Sequence, residues 1–110
     1  MHIGSFLPTG ANVLSSWFER QADNAVFTAE EICGSGAGLL TVTVWHKNRE
    51  DSGPGTEITT GWTSLATGFK SLQVDGLKEL IRFEYTVGGG EGSWVIYRML
   101  QPTWFDTRNA

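Results

Sequence analysis

Short runs of alternating apolar and polar residues constrain this chain more than any other feature of its sequence. The clearest run is 39–46, LLTVTVWH, which places Leu40, Val42, Val44 and His46 on one face. Successive side chains of a β-strand point to opposite faces, so a period of two predicts a half-buried strand. No long segment has the period of an amphipathic helix, and we therefore expect an all-β fold.

A second alternating run, LKELIRFEYTV, covers residues 77–87. It places Ile81, Phe83, Tyr85 and Val87 on one face, while most residues of the other face are polar or charged. β-Branched and aromatic residues dominate the second half of this run and favour an extended backbone over a helical turn. We expect the aromatic face of this strand to be buried.

Glycine-rich and charged connections indicate two hairpins. Residues 88–93, GGGEGS, separate the 77–87 run from the apolar run 94–100, WVIYRML. Glycine supplies the positive φ angles that hairpin loops require, so we predict that these two runs pair directly. The segment 47–55, KNREDSGPG, combines charges with glycine and proline and is typical of an exposed hairpin tip.

Four weaker runs, each bounded by Gly, Pro, Asp or Asn, complete the strand pattern. They are residues 12–19, 25–32, 56–60 and 69–74. A sheet that is apolar on one face must bury it against another layer, and no long helical segment is available to provide that layer. We therefore predict a two-layer antiparallel β-sandwich, with immunoglobulin-like and jelly-roll topologies both open.

The length of 110 residues is typical of one domain, and we predict a single β-sandwich domain spanning 1–110. Two segments, about 1–11 and about 102–110, fall outside the strand pattern, and Pro102 is a poor member of a hydrogen-bonded ladder. We expect these segments to be extended N- and C-terminal arms that dock on partners.

Charge and composition exclude several classes of partner. The formal net charge is −4 and the eight Lys and Arg residues are dispersed, whereas nucleic-acid binding draws on clustered basic residues. No run approaches the ~20 apolar residues that span a bilayer, and the start, MHIGSFLPT, lacks the basic residues of a secretory signal. A single cysteine, Cys33, allows no internal disulfide. We expect synthesis in the cytoplasm and neither nucleic acid nor membrane as a partner.

Catalytic and metal-binding patterns are missing from the sequence. The two histidines, His2 and His46, have no nucleophile in a recognisable triad arrangement. One cysteine and two histidines are too few for a structural zinc site, which takes about four such ligands. The carboxylates that could serve as an acid and base pair in hydrolysis occur as neighbours in the sequence. Neighbouring residues of a strand point to opposite faces, so such a pair would not face one substrate. We expect a non-enzymatic protein with no catalytic residue, cofactor or metal.

Aromatic residues are more numerous than one small sandwich can easily bury. The chain has five Trp, six Phe and two Tyr, and aromatic residues are enriched at the centres of protein interfaces. Trp104 and Phe105 follow the last predicted strand, where they either fold back onto the domain or dock on a neighbouring subunit. Phe6 and Leu7 of the N-terminal arm raise the same alternative. These four side chains are our candidate partner-binding residues.

The second half of the chain carries a family resemblance. The stretch LKELIRFEYTVGGGEGSWVIYRMLQPTWFDT, preceded by GWTSLATGFKSLQV, resembles small all-β structural proteins of tailed-bacteriophage virions, in particular head decoration (cement) proteins. The resemblance rests on a predicted hairpin bearing Arg82 and Arg98, the closing Pro102 and an aromatic tail. It implies a β-sandwich on the outer capsid surface of the virion, bound to the major capsid protein and to other copies of itself, and made in the host cytoplasm.

Two other functions stay open. A carbohydrate-binding β-sandwich would use an exposed tryptophan as a stacking platform for a glycan, and Trp62 beside the 47–55 loop is the natural candidate. A tail or neck structural protein of the same phages would share the all-β pattern and the aromatic tail. An enzyme is the least favoured reading, because no acid, base or nucleophile pair can be named.

Overall fold

The computed structural model describes residues 5–10, 12–35, 39–65, 68–89 and 92–106, and all regular structure in these ranges is β-strand. The strands are β1 (Ser5–Pro8), β2 (Asn12–Leu14), β3 (Phe18–Glu19), β4 (Asn24–Ser35), β5 (Leu39–Lys47), β6 (Thr56–Leu65), β7 (Gly68–Val74), β8 (Leu80–Gly88), β9 (Trp94–Met99) and β10 (Thr103–Phe105). They form two antiparallel sheets of five strands each. The predicted all-β, two-layer architecture is confirmed.

Sheet A contains β1, β9, β4, β10 and β7. Its central strand is β4, which pairs with β9 and then β10 along one edge and with β7 along the other. Ala25, for example, has Trp104 on one side and Val74 on the other. The order across the sheet is therefore β1, then β9 with β10 in line, then β4, then β7.

Sheet B contains β2, β3, β8, β5 and β6, with β2 and β3 on one edge of β8 and β5 on the other. Strand pairing is nested, since β1 pairs with β9, β2 with β8, β4 with β7 and β5 with β6. Consecutive strands lie in different sheets except for β2–β3, β5–β6 and β9–β10. Nested pairing of strands that alternate between two sheets is the topology of a jelly roll. It is not that of an immunoglobulin sandwich, which keeps its first two strands in one sheet.

The hairpin predicted between 77–87 and 94–100 is wrong. The corresponding strands β8 and β9 lie in sheets B and A respectively, and the chain crosses between the sheets after Gly88. Each strand directs an apolar face to the common core from the opposite side. The predicted hairpin with its tip at 47–55 is confirmed, because β5 and β6 pair directly.

The core lies between the inner faces of the two sheets. Sheet B contributes Leu40, Val42, Val44, Ile81, Phe83, Tyr85 and Val87, and sheet A contributes Leu7, Ala25, Phe27, Ala29, Val74, Val95 and Tyr97. Phe27 meets the ring of Phe83 edge-on across the sandwich, with centroids 5.1 Å apart. Tyr85 and Tyr97 face each other at 4.7 Å, and burial raises the pKa of Tyr85 above its usual value. The buried face predicted for β8 is confirmed, and in β5 the buried face is the one that carries Leu40, Val42 and Val44.

Both predicted arms contribute strands to sheet A over their described residues. β1 pairs with β9, and β10 pairs with Asn24–Val26 of β4. Met99 pairs with Ala29 and Thr103 pairs with Val26, so residues 100–102 lie opposite residues 27–28 of β4. The extra residue forms a β-bulge at Pro102. The bulge accommodates the missing N–H of proline, and pairing resumes beyond it. Residues 5–8 and 103–105 are therefore strands and not extended arms.

The β5–β6 tip depends on one glycine. Gly55 has a φ angle of +84°, and a Cβ atom there would come within 2.6 Å of the carbonyl oxygen of His46. Within the tip, Lys47 Nζ donates to Gly53 O at 3.0 Å, and Arg49 N connects the tip to the rest of the protein by donating to Glu79 Oε1 at 3.0 Å. The tip therefore lies against the segment that precedes β8.

Candidate functional site

The structure separates the four residues expected to bind a partner. Phe6 is 59% exposed, whereas Leu7 is 7% exposed and belongs to the core. Trp104 and Phe105 are half-buried in β10, and Trp104 packs edge-on against Phe27 with ring centroids 6.0 Å apart. Of the four, only Phe6 presents most of its side chain to solvent. Successive residues of β1 point to opposite faces of the sheet, so Leu7 points into the core.

Phe6 lies on the outer face of sheet A beside other apolar side chains. It is opposite Ile96, and its ring is 5.6 Å from the ring of Trp94. Ile96 is in turn opposite Cys33 of β4, while its neighbours Val95 and Tyr97 point into the core. A band of apolar side chains therefore crosses three strands of this face.

Two further exposed side chains extend the band across β4 to β7. Ile32 is 39% exposed and occupies the register irregularity between Glu31 and Cys33. Phe69 is 64% exposed and lies opposite Glu30, at the far edge of the sheet. We name the set Phe6, Ile32, Phe69, Trp94 and Ile96 the apolar face.

One ion pair lies within the apolar face. Arg98 Nε is 2.5 Å from Glu30 Oε1, and the two residues are directly opposite each other on β9 and β4. Their side chains are only partly exposed, at 34% and 19%. Thr28 and Ser71 share a hydrogen bond of 2.8 Å beside this pair. The polar groups of this face are thus satisfied within the chain.

The outer face of sheet B has a different chemistry. The guanidinium of Arg82 lies 4.6 Å from the centre of the Trp17 ring, and Lys47 Nζ lies 4.7 Å from it. Trp45 Nε1 donates to Glu84 Oε1 at 3.0 Å. The tryptophan rings of this face contact charged groups, and its exposed apolar side chains are Leu14 and Leu39, whereas Phe6 and Phe69 of the apolar face are exposed aromatic rings.

A cleft of about 570 Å³ opens between the two sheets, beside β3 of sheet B and β10 of sheet A. Its apolar lining includes Phe18, Phe83, Met99 and Trp104, and its polar lining consists of Glu19, Arg20, Gln21 and Gln101. An adjoining hollow of about 380 Å³ shares Arg20 and Gln21 with it. Volumes of this size are typical of sites for small molecules.

The histidine of the clearest strand is structural. The ring of His46 is half-buried, and its Nδ1 accepts a hydrogen bond of 3.2 Å from the backbone N–H of Lys78. Burial, and then the charge of Lys78, lower the pKa of His46 below its usual value of 6.5. A neutral ring that accepts a backbone hydrogen bond holds the end of β5 against the segment before β8.

His46 is expected to make folding stability depend on pH. Its pKa is lower in the folded than in the unfolded chain, so the unfolded chain binds more protons below about pH 6.5. The free energy of unfolding should therefore fall as the pH drops from about 7 to about 5. The measurement is urea unfolding of the native protein and of His46→Gln across this range. Parallel pH profiles of the unfolding free energy for the two proteins would contradict this role. His2 is present in both proteins, so its titration cancels in the comparison.

Other sequence expectations meet the structure only in part. Cys33, the single cysteine, is half-buried and lies on the outer face of sheet A. The side chain of Trp62, the stacking platform of the carbohydrate alternative, lies outside the described residues. Within the described part of the chain there is no group of three or more His, Cys, Asp or Glu residues that could hold a metal ion. The same residues include no helix long and apolar enough to cross a membrane.

Sequence reasoning missed Ile32 and Phe69. Ile32 is displaced from simple alternation by the register irregularity in β4. In β7 the three residues from Phe69 to Ser71 are all exposed, so the period of two gives no sign of which face is covered. The one sequence feature that could have indicated exposure is a large apolar residue next to a charged one, as in Phe69–Lys70.

No family model, no curated protein and no solved structure matches this sequence or this fold.

Proposed function

We propose that the chain is a non-enzymatic structural protein of a tailed-bacteriophage virion, a decoration protein on the outer surface of the capsid. In this proposal the apolar face binds the major capsid protein. The supporting observation is the exposure of Phe6, Ile32 and Phe69 on a single sheet face, next to Trp94 and Ile96. Contiguous apolar surface rimmed by polar groups is typical of a protein interaction site.

The composition of the apolar face suits an interface. Interface centres are enriched in aromatic residues and arginine, and this face combines Phe6, Trp94 and Phe69 with Arg98. Because Arg98 is already paired with Glu30, covering the face would not leave an uncompensated buried charge. Because the backbone of this face is already held in paired strands, it loses little conformational freedom on binding, which favours affinity.

A decoration protein stabilises an assembled lattice because it binds the lattice and not the separated subunits. The contribution to lattice stability follows from mass action, and many weak sites on one capsid act together. Contacts with other copies of the same protein around a capsid symmetry axis would add to this avidity. A net charge of −4 is compatible with an outer surface that does not contact the packaged DNA.

Exchanging one aromatic side chain of the apolar face should weaken capsid binding strongly. Phe69→Ser removes a ring that is 64% exposed in the isolated protein and therefore contributes little to folding. If that ring becomes buried on binding, its loss costs about 1.5–3 kcal/mol, or about ten- to hundredfold in affinity. The measurement is cosedimentation with capsids assembled from the major capsid protein encoded in the same genome, compared with the unassembled subunit.

Leu14→Ser provides the matched control. Leu14 is also an exposed apolar residue, at 52%, but it pairs with Glu84 and lies on the outer face of sheet B. The proposal requires Leu14→Ser to bind capsids like the native protein. Equal losses for both variants would place the contact elsewhere, and failure of the native protein to sediment with any assembled capsid would refute the proposed function.

A further inference from the structure

The cleft between the sheets is bounded by two edge strands. β3 pairs only with β8, and β10 pairs only with β4, among the described residues. Phe18 of β3 and Phe83 of β8 line the cleft from sheet B, and Met99 of β9 and Trp104 of β10 line it from sheet A. Both walls of the cleft therefore contribute aromatic and aliphatic surface, which is held in place by the core packing of Phe83 and Trp104.

The charges of the cleft are already partnered within the chain. Glu19 Oε1 accepts from Arg49 Nη2 at 2.8 Å, and Arg20 Nη1 donates to the carbonyl oxygen of Leu77. An anionic or cationic ligand would have to compete with these contacts. The lining is electrically balanced and favours a neutral ligand.

Two amide groups at the rim are available for hydrogen bonds. Gln21 and Gln101 are exposed, and neither side chain has a hydrogen bond to another residue in the described part of the chain. Each amide provides two donors and one acceptor. They lie on either side of the aromatic surface, Gln21 beyond β3 and Gln101 in the bulge before β10.

The wall that bears Gln21 is held by backbone hydrogen bonds. Arg20 N donates to Glu79 O at 3.0 Å, and Leu77 N donates to Asp23 O at 2.8 Å. Asn24 Oδ1 accepts from Gly76 N at 3.1 Å. These bonds fix the segment between β3 and β4 against the segment before β8, so the cleft needs little reorganisation to bind a ligand.

We propose that this cleft binds a neutral saccharide of one or two rings. A pyranose has an apolar C–H face that stacks on aromatic side chains and a rim of hydroxyl groups that both donate and accept hydrogen bonds. The cleft offers the complementary pair, an aromatic surface around Trp104 and neutral amides at Gln21 and Gln101. This site is distinct from the apolar face, so it stands or falls independently of capsid binding.

An apolar peptide side chain is a poorer match for the same cleft. It would fill the space near Phe18 and Trp104 but would displace water from the two rim amides without replacing their hydrogen bonds. An amide that loses its hydrogen bonds to water without gaining others lowers the binding affinity, whereas saccharide hydroxyl groups replace those hydrogen bonds. The polar rim therefore favours the saccharide.

The test is a titration of the isotope-labelled protein followed by two-dimensional ¹H–¹⁵N NMR. The probes are glucose, galactose, mannose, N-acetylglucosamine, maltose and cellobiose, with N-acetyl-leucinamide as the apolar peptide probe. At least one saccharide should shift the indole signal of Trp104 and the side-chain amide signals of Gln21 and Gln101 in a saturable way. Shifts by N-acetyl-leucinamide alone, or no saccharide-induced shift at these three residues, would overturn the proposal.

Two glutamine variants make the assignment to the cleft specific. Gln101→Ala should weaken the best saccharide by about three- to tenfold, because it removes hydrogen bonds of ordinary strength. Gln73→Ala is the matched control, since Gln73 is an exposed glutamine of β7 outside the cleft, and it should leave the affinity unchanged. Both residues are exposed, so neither variant is expected to impair folding. Unchanged affinity in Gln101→Ala would refute the cleft as the binding site.

Discussion

Replacing Phe83 with alanine is expected to lower the free energy of unfolding by about 3–5 kcal/mol. Phe83 is 6% exposed, and its ring is 5.4 Å from the ring of Phe18 and 5.1 Å from that of Phe27. Because Phe27 belongs to sheet A and Phe83 to sheet B, the truncation removes a contact that joins the two layers. Neighbouring strands are fixed by their ladders and can collapse into the resulting cavity only in part.

Urea unfolding of the native protein and of two variants measures this effect. Phe69→Ala is the matched control, since it makes the same chemical change at a ring that is 64% exposed on the outer face of sheet A. It should change the free energy of unfolding by no more than about 0.5 kcal/mol. A loss below about 1 kcal/mol for Phe83→Ala would mean that Phe83 does not face the core.

The buried face of β8 could be predicted from the sequence because its apolar and polar residues alternate regularly. In β8 the burial pattern alternates over all nine residues, and the residues expected to be buried are buried. In β5 the alternation runs from Leu39 to Trp45 and ends before His46, which is half-buried. The all-β class and the two-layer packing followed from the same pattern. These properties depend on local sequence and on the need to bury one face of each sheet.

Strand partners could not be predicted in the same way. The pattern of β8 is satisfied equally by pairing with β9 in one sheet or by facing it across the core. Proximity along the chain favoured the hairpin, but the structure pairs β8 with β5 and β2. The choice depends on long-range contacts that no single run encodes. The jelly-roll topology thus became clear only from the ladders.

The terminal strands were missed because they are short. β10 has three residues and β1 has four, too few for an alternation to be recognised. Pro102 also suggested that regular structure ended there, whereas a bulge lets pairing resume after it. Of the candidate site, the sequence predicted that exposed aromatics would exist and named Phe6, but the apolar face needed the register of four strands to be recognised.

Deleting residues 103–110 is expected to destabilise the protein by about 3 kcal/mol or more. The deletion removes the ladder between β10 and β4 and takes the ring of Trp104 away from Phe27. One edge of β4 then has unpaired backbone groups, and the apolar wall of the cleft opens to water. Such a loss is a large fraction of the 5–15 kcal/mol that typically separates folded from unfolded domains.

A shorter deletion separates the strand from the residues that follow it. Removing only 107–110 keeps Thr103–Phe105 and their pairing with β4, so the difference in unfolding free energy between the two deletions measures the contribution of β10. Trp104→Ala in the full-length chain should fall between the two deletions, because it keeps the backbone ladder and loses only the ring. If the 103–110 deletion were as stable as the native protein, β10 would contribute nothing to the fold. Trp104 and Phe105 would then be available to a partner, as the sequence alone allows.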